Sequence, residues 1–225
     1  MTTNANEILK SELFEITTGL LLGDGNLQKP KTCKYYRFRF AQNELRQDYV
    51  NHLFNKYCYG LKQINNNEKK PLINQLKPRL YRYSTKVNNL LKNSYSFETR
   101  ISSSFNKHAE IFYSDKSSKK KLCEDITCLY NLITPISLAY WYMDDGSWPN
   151  KKAKSLILCT HAYKKEQVEY LSEILNNKFG LKTNLGINKK QPILRISAKS
   201  YNILKELIFY TIKEIPSMKS KFPFN

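Results

Sequence analysis

The sequence predicts an α/β protein, of the α+β type, made of two pseudo-symmetric halves. A short motif occurs twice, as TTGLLLGDG at 17–25 and as LAYWYMDDG at 138–146, and each copy is an apolar run that ends in an acidic residue and glycine. Similar series of helix and strand patterns follow both copies, which indicates an internal repeat. We therefore place the N-terminal half at 1–113, a linker at 114–133 and the C-terminal half at 134–225.

The elements of the first half are predicted from the spacing of its apolar residues. Alternation with a period of two predicts strands, and apolar residues three and four apart predict helices. Polar runs with proline or serine predict loops. After the motif helix we expect a strand at 35–40, a helix at 45–59, a loop at 62–78, a strand at 80–85, a helical stretch at 87–92, a loop at 94–104 and a short helix at 105–113.

The second half repeats this order with clearer patterns. Its best-defined helix ends before Gly180, a residue type that favours a helix C-terminus. One strand of each half is not evident, near Arg37 in the first half and at 148–154 in the second. After the second motif helix we expect a strand at 155–160, a helix at 165–179, a strand at 183–187, a turn at 188–191, a strand at 193–197 and a helix at 201–212.

The composition indicates a folded protein that binds a polyanion. The net charge is +18, from 37 basic and 19 acidic side chains, and 13% of the residues are aromatic. Basic residues alternate with aromatic ones, which favours nucleic acid as the partner. No apolar run reaches the about 18 residues that a membrane span needs, and the N-terminus resembles neither a signal nor a transit peptide. Five cysteines without a CxxC motif favour a reducing compartment.

Each predicted strand has two unlike faces. Tyr36, Phe38 and Phe40 alternate with arginines, and in the later strands an apolar face contains Leu185, Ile187, Leu194 and Ile196. Such a sheet packs helices on one side and can contact DNA with the other, although an ordinary solvated face would show the same pattern. The candidate DNA-binding residues are Arg37, Arg39, Arg82, Lys182, Asn184, Asn188, Arg195 and Ser197.

The two motifs end in aspartates that need a counter-charge. If the apolar runs are helices, Asp24 and Asp145 lie at the negative end of each helix dipole. Two such sites suggest a cation that both carboxylates share; the alternative is a turn-forming aspartate before glycine. Gly19 and Gly23 would let the motif helices approach closely, which would bring their C-terminal ends together.

These residues resemble a known family. TTGLLLGDG and LAYWYMDDG are similar to the two copies of the LAGLIDADG motif in single-chain homing endonucleases, and 134–146 resembles the omega-intron type of yeast mitochondria. The resemblance implies αββαββα-like halves, antiparallel saddle-shaped sheets that face DNA, motif helices packed at the interface, and a monomer. It also implies that Asp24 and Asp145 bind Mg²⁺, with Mn²⁺ as a substitute and Ca²⁺ binding without cleavage. The side chain of Asp144 is expected to turn away from the metal.

The resemblance adds two catalytic lysines. Lys120, in SKKKLC, matches a lysine placed before an Ile-Pro step, although Leu122 stands where isoleucine is expected and the register is open by one residue. Lys221, in SKFP, matches a lysine before an apolar residue and proline. The alternative for both is a surface lysine of a basic chain.

The sequence thus predicts an intron-encoded, metal-dependent endonuclease that makes double-strand breaks in a long DNA target. We expect it in a mitochondrion or another organelle. One alternative is an RNA maturase that helps to splice its own intron RNA, and another is a non-enzymatic RNA-binding protein of an organellar ribosome. The paired aspartates favour the nuclease, because neither alternative needs two metal ligands.

Overall fold

The structure is a computed structural model with two similar halves joined through a pair of central helices. It describes residues 5–60, 79–84, 91–113, 120–122, 125, 127–149 and 153–222. The predicted loop at 62–78 and most of the predicted helical stretch at 87–92 lie outside the described residues. None of the described helices is long and apolar enough to cross a membrane.

The first half consists of a four-stranded antiparallel sheet with helices on one side. Its strand order is β1-β2-β4-β3. The elements are α1 (Ala5–Leu22), β1 (Asn26–Gln28), β2 (Arg37–Asn43), α2 (Gln47–Gly60), β3 (Arg79–Ser84), β4 (Leu91–Glu98) and α3 (Asn106–Phe112).

The second half repeats the same architecture after a short helix in the linker. Its antiparallel strand order, β5-β6-β8-β7, matches that of the first half strand for strand, so the two pseudo-symmetric halves are confirmed. The elements are α4 (Leu129–Leu132), α5 (Pro135–Asp145), β5 (Gly146–Ser147), β6 (Leu156–Cys159), α6 (Lys165–Phe179), β7 (Thr183–Asn188), β8 (Gln191–Ile196) and α7 (Tyr201–Ile212).

The predicted two-faced strands are present in both sheets. Phe38 and Phe40 of β2 are fully buried towards the helices, as are Leu194 and Ile196 of β8. Ile187 is an exception, because it lies near the tip of the β7–β8 hairpin and is 76% exposed. The burial of one face leaves the opposite, more polar face of each sheet available for a partner.

The one strand of each half that was not evident from the sequence follows directly after the motif helix. β1 pairs with β2 through Gln28 and Arg37, and β5 is only two residues long. The missing strand of the second half is therefore at Gly146–Ser147, before the segment 148–154 where we expected it. Strands this short carry too few residues for a recognisable alternation.

The serine-rich loop predicted at 94–104 is wrong over 94–98, and the helical prediction is wrong at Leu91 and Lys92. β4 covers Leu91–Glu98 and is hydrogen-bonded to β2 on one side and β3 on the other. Ser96 is buried in this strand. A central strand satisfies its backbone groups on both sides, and this tertiary pairing overrides the weak strand preference of serine and asparagine.

Candidate active site between the motif helices

The two motif helices, α1 and α5, pack against each other at glycine positions. A Cβ atom on Gly19 would collide with the backbone of Ser137, and one on Gly23 would lie 2.5 Å from the Cβ of Asp144. The two glycines therefore allow a helix approach that no larger residue would permit. This close packing brings the C-terminal ends of both motifs together.

The start of α5 is fixed in register against α1. Thr134 and Ser137 form a reciprocal capping box, and Pro135 occupies the first helical turn. The Thr134 hydroxyl also donates a hydrogen bond of 2.7 Å to the Glu15 carboxylate of α1. The cap sets where α5 begins, and the inter-helix hydrogen bond keeps α5 aligned with α1.

The two aspartates lie where each motif helix gives way to a strand. Asp24 is exposed and Asp145 is partly buried. Burial first, and then the negative charge of Asp24, raise the pKa of Asp145 to about 7, while Lys120 and Lys221 act in the opposite direction. The two carboxylates are thus close enough to repel each other, which is the electrostatic setting that a bound cation relieves.

Lys120 and Lys221 each contact the end of one motif helix. Lys120 Nζ donates to the carbonyl oxygens of Gly23 and Gly25, the latter at 3.1 Å. Lys221 Nζ donates to the carbonyl oxygens of Met143 and Asp144, both at 2.5 Å. The structure therefore places both lysines beside the paired aspartates, as the resemblance implied.

Burial changes the acidity of these two lysines. Burial lowers the pKa of Lys120 against the raising effect of three nearby aspartates. The pKa of Lys221 falls to about 8, mainly through burial and secondly through the positive charge of Arg46. Both lysines thus give up part of their hydration to stand near the aspartates, a placement that an ordinary surface lysine does not require.

The Asp144 carboxylate is buried and hydrogen-bonded to the first half. Its Oδ2 accepts a hydrogen bond of 2.9 Å from the backbone N–H of Asp24, and its Oδ1 accepts one of 3.0 Å from the Tyr49 hydroxyl. Burial and the nearby charge of Asp24 hold the pKa of Asp144 well above its ordinary value. Asp144 therefore links the second motif to the first half instead of pointing out of the protein.

Sequence reasoning missed two residues that hold Asp24. Gln42 Nε2 donates a hydrogen bond of 2.5 Å to Asp24 Oδ2, and Arg46 Nη1 donates one of 3.3 Å to Gln42 Oε1. Gln42 is in phase with the buried Phe38 and Phe40 and is itself only 9% exposed. A polar residue on the apolar side of a strand was the signal in the sequence that pointed to it.

The candidate DNA-binding residues of the first half share a carboxylate partner. Arg37 and Arg39 lie on the face of β2 opposite to the helices and approach Glu98 at 2.8 and 3.8 Å. Arg37 also donates to Gln28. Arg82 pairs in register with Asn93, and its side chain is outside what the structure describes.

The candidates of the second half lie on or beside its outer sheet. Asn184 and Arg195 are opposite each other on β7 and β8, and both are exposed. Lys182 and Asn188 are exposed at the two ends of β7. The Ser197 hydroxyl accepts from the backbone N–H of Lys199 and so caps a short helix.

The aspartates offer a donor set that suits a hard divalent cation. Within the described ranges, no group of three His, Cys, Asp or Glu residues could hold a metal. Two carboxylates beside backbone carbonyl oxygens nevertheless fit Mg²⁺, which uses one or two carboxylates and completes its coordination with water and phosphate oxygens. The site thus fits a metal that is shared between the protein and a phosphodiester.

Comparisons with known proteins agree with this geometry. The LAGLIDADG DNA endonuclease family matches residues 14–204. The probable intron-encoded endonuclease 1 of Wickerhamomyces canadensis is 33% identical over 94% of this chain and 84% of its own length. The structure of the homing endonuclease I-WcaI bound to its DNA recognition sequence is 31% identical, has a TM-score of 0.75 and is matched over 100% of this chain and 89% of that one.

A third relative carries a different name. The cytochrome b mRNA maturase bI2 of Saccharomyces cerevisiae is 32% identical over 95% of this chain, but this chain spans only 48% of that relative's length. The family match covers both motifs, both sheets and most of the connecting elements. This chain therefore belongs to the LAGLIDADG DNA endonuclease family.

Proposed function

We propose that this chain is a site-specific, metal-dependent DNA endonuclease that cleaves both strands of a long target during intron homing. One observation carries the proposal. The packing of α1 against α5 brings an aspartate from each motif together with Lys120 and Lys221, each lysine contacting the end of one motif helix. Family membership and the DNA-bound relative support the same assignment.

Each residue of the site has a distinct proposed role. Asp24 and Asp145 hold Mg²⁺, which when bound supplies an activated water and stabilises the departing oxygen. Gln42 orients the Asp24 carboxylate through its amide hydrogen bond. The ammonium groups of Lys120 and Lys221 are partly buried donors that offset the negative charge developing on the phosphate.

DNA lies across the outer faces of the two sheets in this proposal. The net charge of +18 supplies a long-range attraction for a polyanion. Arg37 and Arg39 of β2 and Asn184 and Arg195 of the second sheet are placed to contact bases or phosphates. Two sheets side by side give a longer contact surface than one, which suits a long recognition sequence.

Finer features of the function are also proposals. We infer Mg²⁺ as the working metal, with Mn²⁺ able to replace it and Ca²⁺ supporting binding alone. We also infer that one chain is sufficient, because it contains both motifs and both sheets. A relative named as intron-encoded and another named as a cytochrome b maturase support a mitochondrial setting.

RNA maturation is the second candidate function, because one relative is named a maturase. The nuclease has the stronger support, since paired carboxylates with two nearby lysines serve phosphodiester cleavage. A maturase role in addition to cleavage would use the protein's own intron RNA as a further partner.

Cleavage of a randomised library of long DNA duplexes tests the proposal. The purified protein is incubated with the library and Mg²⁺, and the cut ends are sequenced, with EDTA and the Asp24→Asn/Asp145→Asn double variant as controls. We expect the cut ends to share one recognition sequence and to have short 3′ overhangs, and we expect no such ends in either control. Cut ends no more frequent than in EDTA, together with faster splicing of an intron RNA, would replace the nuclease by the maturase.

A further inference from the structure

The two aspartates of the site are not held in the same way. The Asp24 carboxylate accepts a hydrogen bond from Gln42 of β2. Across the part of the chain that the structure describes, no side chain completes a hydrogen bond of ordinary geometry to the Asp145 carboxylate. A metal ligand usually has a second group that fixes its orientation.

Trp141 is placed to be that group for Asp145. It precedes Asp145 by one turn of α5, so the two side chains share a face of the helix. Trp141 is fully buried, and its Nε1 has no hydrogen-bond partner among the described residues. A buried, unpaired N–H is energetically unfavourable, so an acceptor within reach is strongly favoured.

The indole of Trp141 also affects the pKa of Asp145. Burial raises the pKa of Asp145 to about 7, and the indole N–H of Trp141 acts in the opposite direction by stabilising the ionised carboxylate. The indole of Trp141 therefore lies near enough to the Asp145 carboxylate to interact with it, although its N–H completes no hydrogen bond of ordinary geometry among the described residues.

The first motif has no equivalent donor. When the two motifs are aligned on their final aspartate and glycine, Trp141 corresponds to Leu20. Leu20 is fully buried and has no polar side-chain atom. An apolar residue is sufficient for packing at this helix position, so the indole N–H is a feature of the second motif that packing alone does not explain.

We propose that Trp141 is a positioning residue whose indole N–H donates a hydrogen bond to the Asp145 carboxylate and holds it in the orientation that binds the metal. This inference rests on the proposed function, in which Asp145 is a metal ligand. With one oxygen fixed by the indole, the other is presented to the cation. Loss of such a partner weakens metal binding by about 10- to 100-fold in other metal sites.

Two tryptophan variants form a matched pair for the test, because the chain contains only two tryptophans. Trp141→Phe keeps the aromatic packing and removes the N–H. Trp148→Phe removes the other indole N–H, which donates to the Ala153 carbonyl outside the site. Calorimetric titration of each protein–DNA complex with Ca²⁺ measures metal affinity without cleavage.

The expected result is a Ca²⁺ dissociation constant about 10- to 100-fold higher in Trp141→Phe and unchanged in Trp148→Phe. An unchanged constant in Trp141→Phe overturns the inference. Asp145→Asn distinguishes failure of the proposed function from failure of the role of Trp141. If it also leaves the constant unchanged, the proposed function fails; if it abolishes binding while Trp141→Phe leaves the constant unchanged, only the role of Trp141 fails.

A second measurement needs no change at Trp141. In the Trp148→Phe protein, the single indole N–H resonance in a ¹H–¹⁵N spectrum belongs to Trp141. Replacing Asp145 by Asn in this background should shift that resonance and speed its exchange with water, since the charged acceptor is lost. A resonance that does not respond to Asp145→Asn overturns the hydrogen bond even if Trp141→Phe fails to fold.

Discussion

The two motifs differ at the residue before the final aspartate, which is Gly23 in the first and Asp144 in the second. The difference follows from their contact: a side chain on Gly23 would occupy the space of Asp144. Asp144 uses that space to accept from the Asp24 N–H and the Tyr49 hydroxyl. Two helices this close cannot both carry a side chain at this position, so only one of the two motifs can have an aspartate there.

The outer faces of the two sheets also differ in charge. Arg37 and Arg39 share Glu98 in the first half, whereas Arg195 has no ion pair among the described residues of the second half. Unpaired arginine attracts a polyanion more strongly than arginine that already has a carboxylate partner. The two halves therefore share a fold and contribute unequally to the candidate site and to the proposed DNA surface.

Apart from the two aspartates, the largest effect is expected from Lys120 and Lys221, each of which contacts the end of one motif helix. Lys120→Ala and Lys221→Ala should each slow cleavage by about 10- to 10³-fold, because each removes a charged donor near the phosphate. Gel shifts in Ca²⁺ should show unchanged DNA binding. Lys219→Ala is the control, because Lys219 is exposed in the same short helix as Lys221. Parent rates in both single variants and in the double variant would make these two residues surface lysines.

Gly23→Ala tests the asymmetric packing directly. The added methyl group collides with the Asp144 side chain, and we expect a loss of about 1–3 kcal/mol in the free energy of unfolding. Asp144→Gly in the same chain should recover part of this loss, since it removes the colliding atoms. Urea unfolding of both singles and the double gives the coupling energy, and strictly additive effects would contradict the contact.

The pH dependence of stability distinguishes Asp145 from an ordinary surface carboxylate. Its folded pKa of about 7 lies above the ordinary value of 3.8, so the folded state holds the proton more tightly and this residue destabilises the fold as pH rises through 7. At pH 8 in EDTA, Asp145→Asn should exceed the parent by about 1–3 kcal/mol, given about 1.4 kcal/mol per pKa unit and partial exposure. The difference should shrink towards pH 5 in thermal melts, and a pH-independent difference would contradict the raised pKa.

Glu98→Gln should have the smallest effect, and it tests the difference in charge between the outer faces of the two sheets. Freeing Arg37 and Arg39 should strengthen DNA binding about two- to fivefold at low salt, because surface ion pairs contribute about 0–1 kcal/mol. The logarithmic salt dependence should steepen at the same time. Fluorescence anisotropy between about 50 and 200 mM salt measures both, with Glu169→Gln, on the α6 surface, as the control. A weaker affinity in Glu98→Gln would mean that Glu98 itself contacts the DNA.

The long, periodic elements were predictable from the sequence. α6 and α7 have the bounds expected from their apolar spacing, and Gly180 adopts the left-handed conformation with φ of 67°. β4 was not predictable, because its pairing with two neighbouring strands stabilises a serine-rich segment that has little strand preference of its own. Local periodicity predicts elements that bury their own apolar face, and it fails where long-range pairing decides.

The residues of the candidate site also differ in how far they were predictable from the sequence. The motifs placed Asp24 and Asp145, and the resemblance placed Lys120 and Lys221, beside one another as the structure has them. The partner that orients Asp24 was missed, since its one signal is a polar residue in phase with Phe38 and Phe40, and the contact joins residues of different elements. Contacts between distant segments depend on packing that a single sequence does not display.

Strand-resolved cleavage by Asp24→Asn and Asp145→Asn tests the central claim, that the two motifs build one metal-dependent site between them. Both strands of an end-labelled target duplex are followed in Mg²⁺, and a gel shift in Ca²⁺ reports DNA binding by the same proteins. The account predicts that each variant still binds the duplex and loses double-strand cleavage, while Asp144→Asn is impaired less. Full double-strand cleavage by Asp145→Asn, or an equal loss in Asp144→Asn, would contradict it.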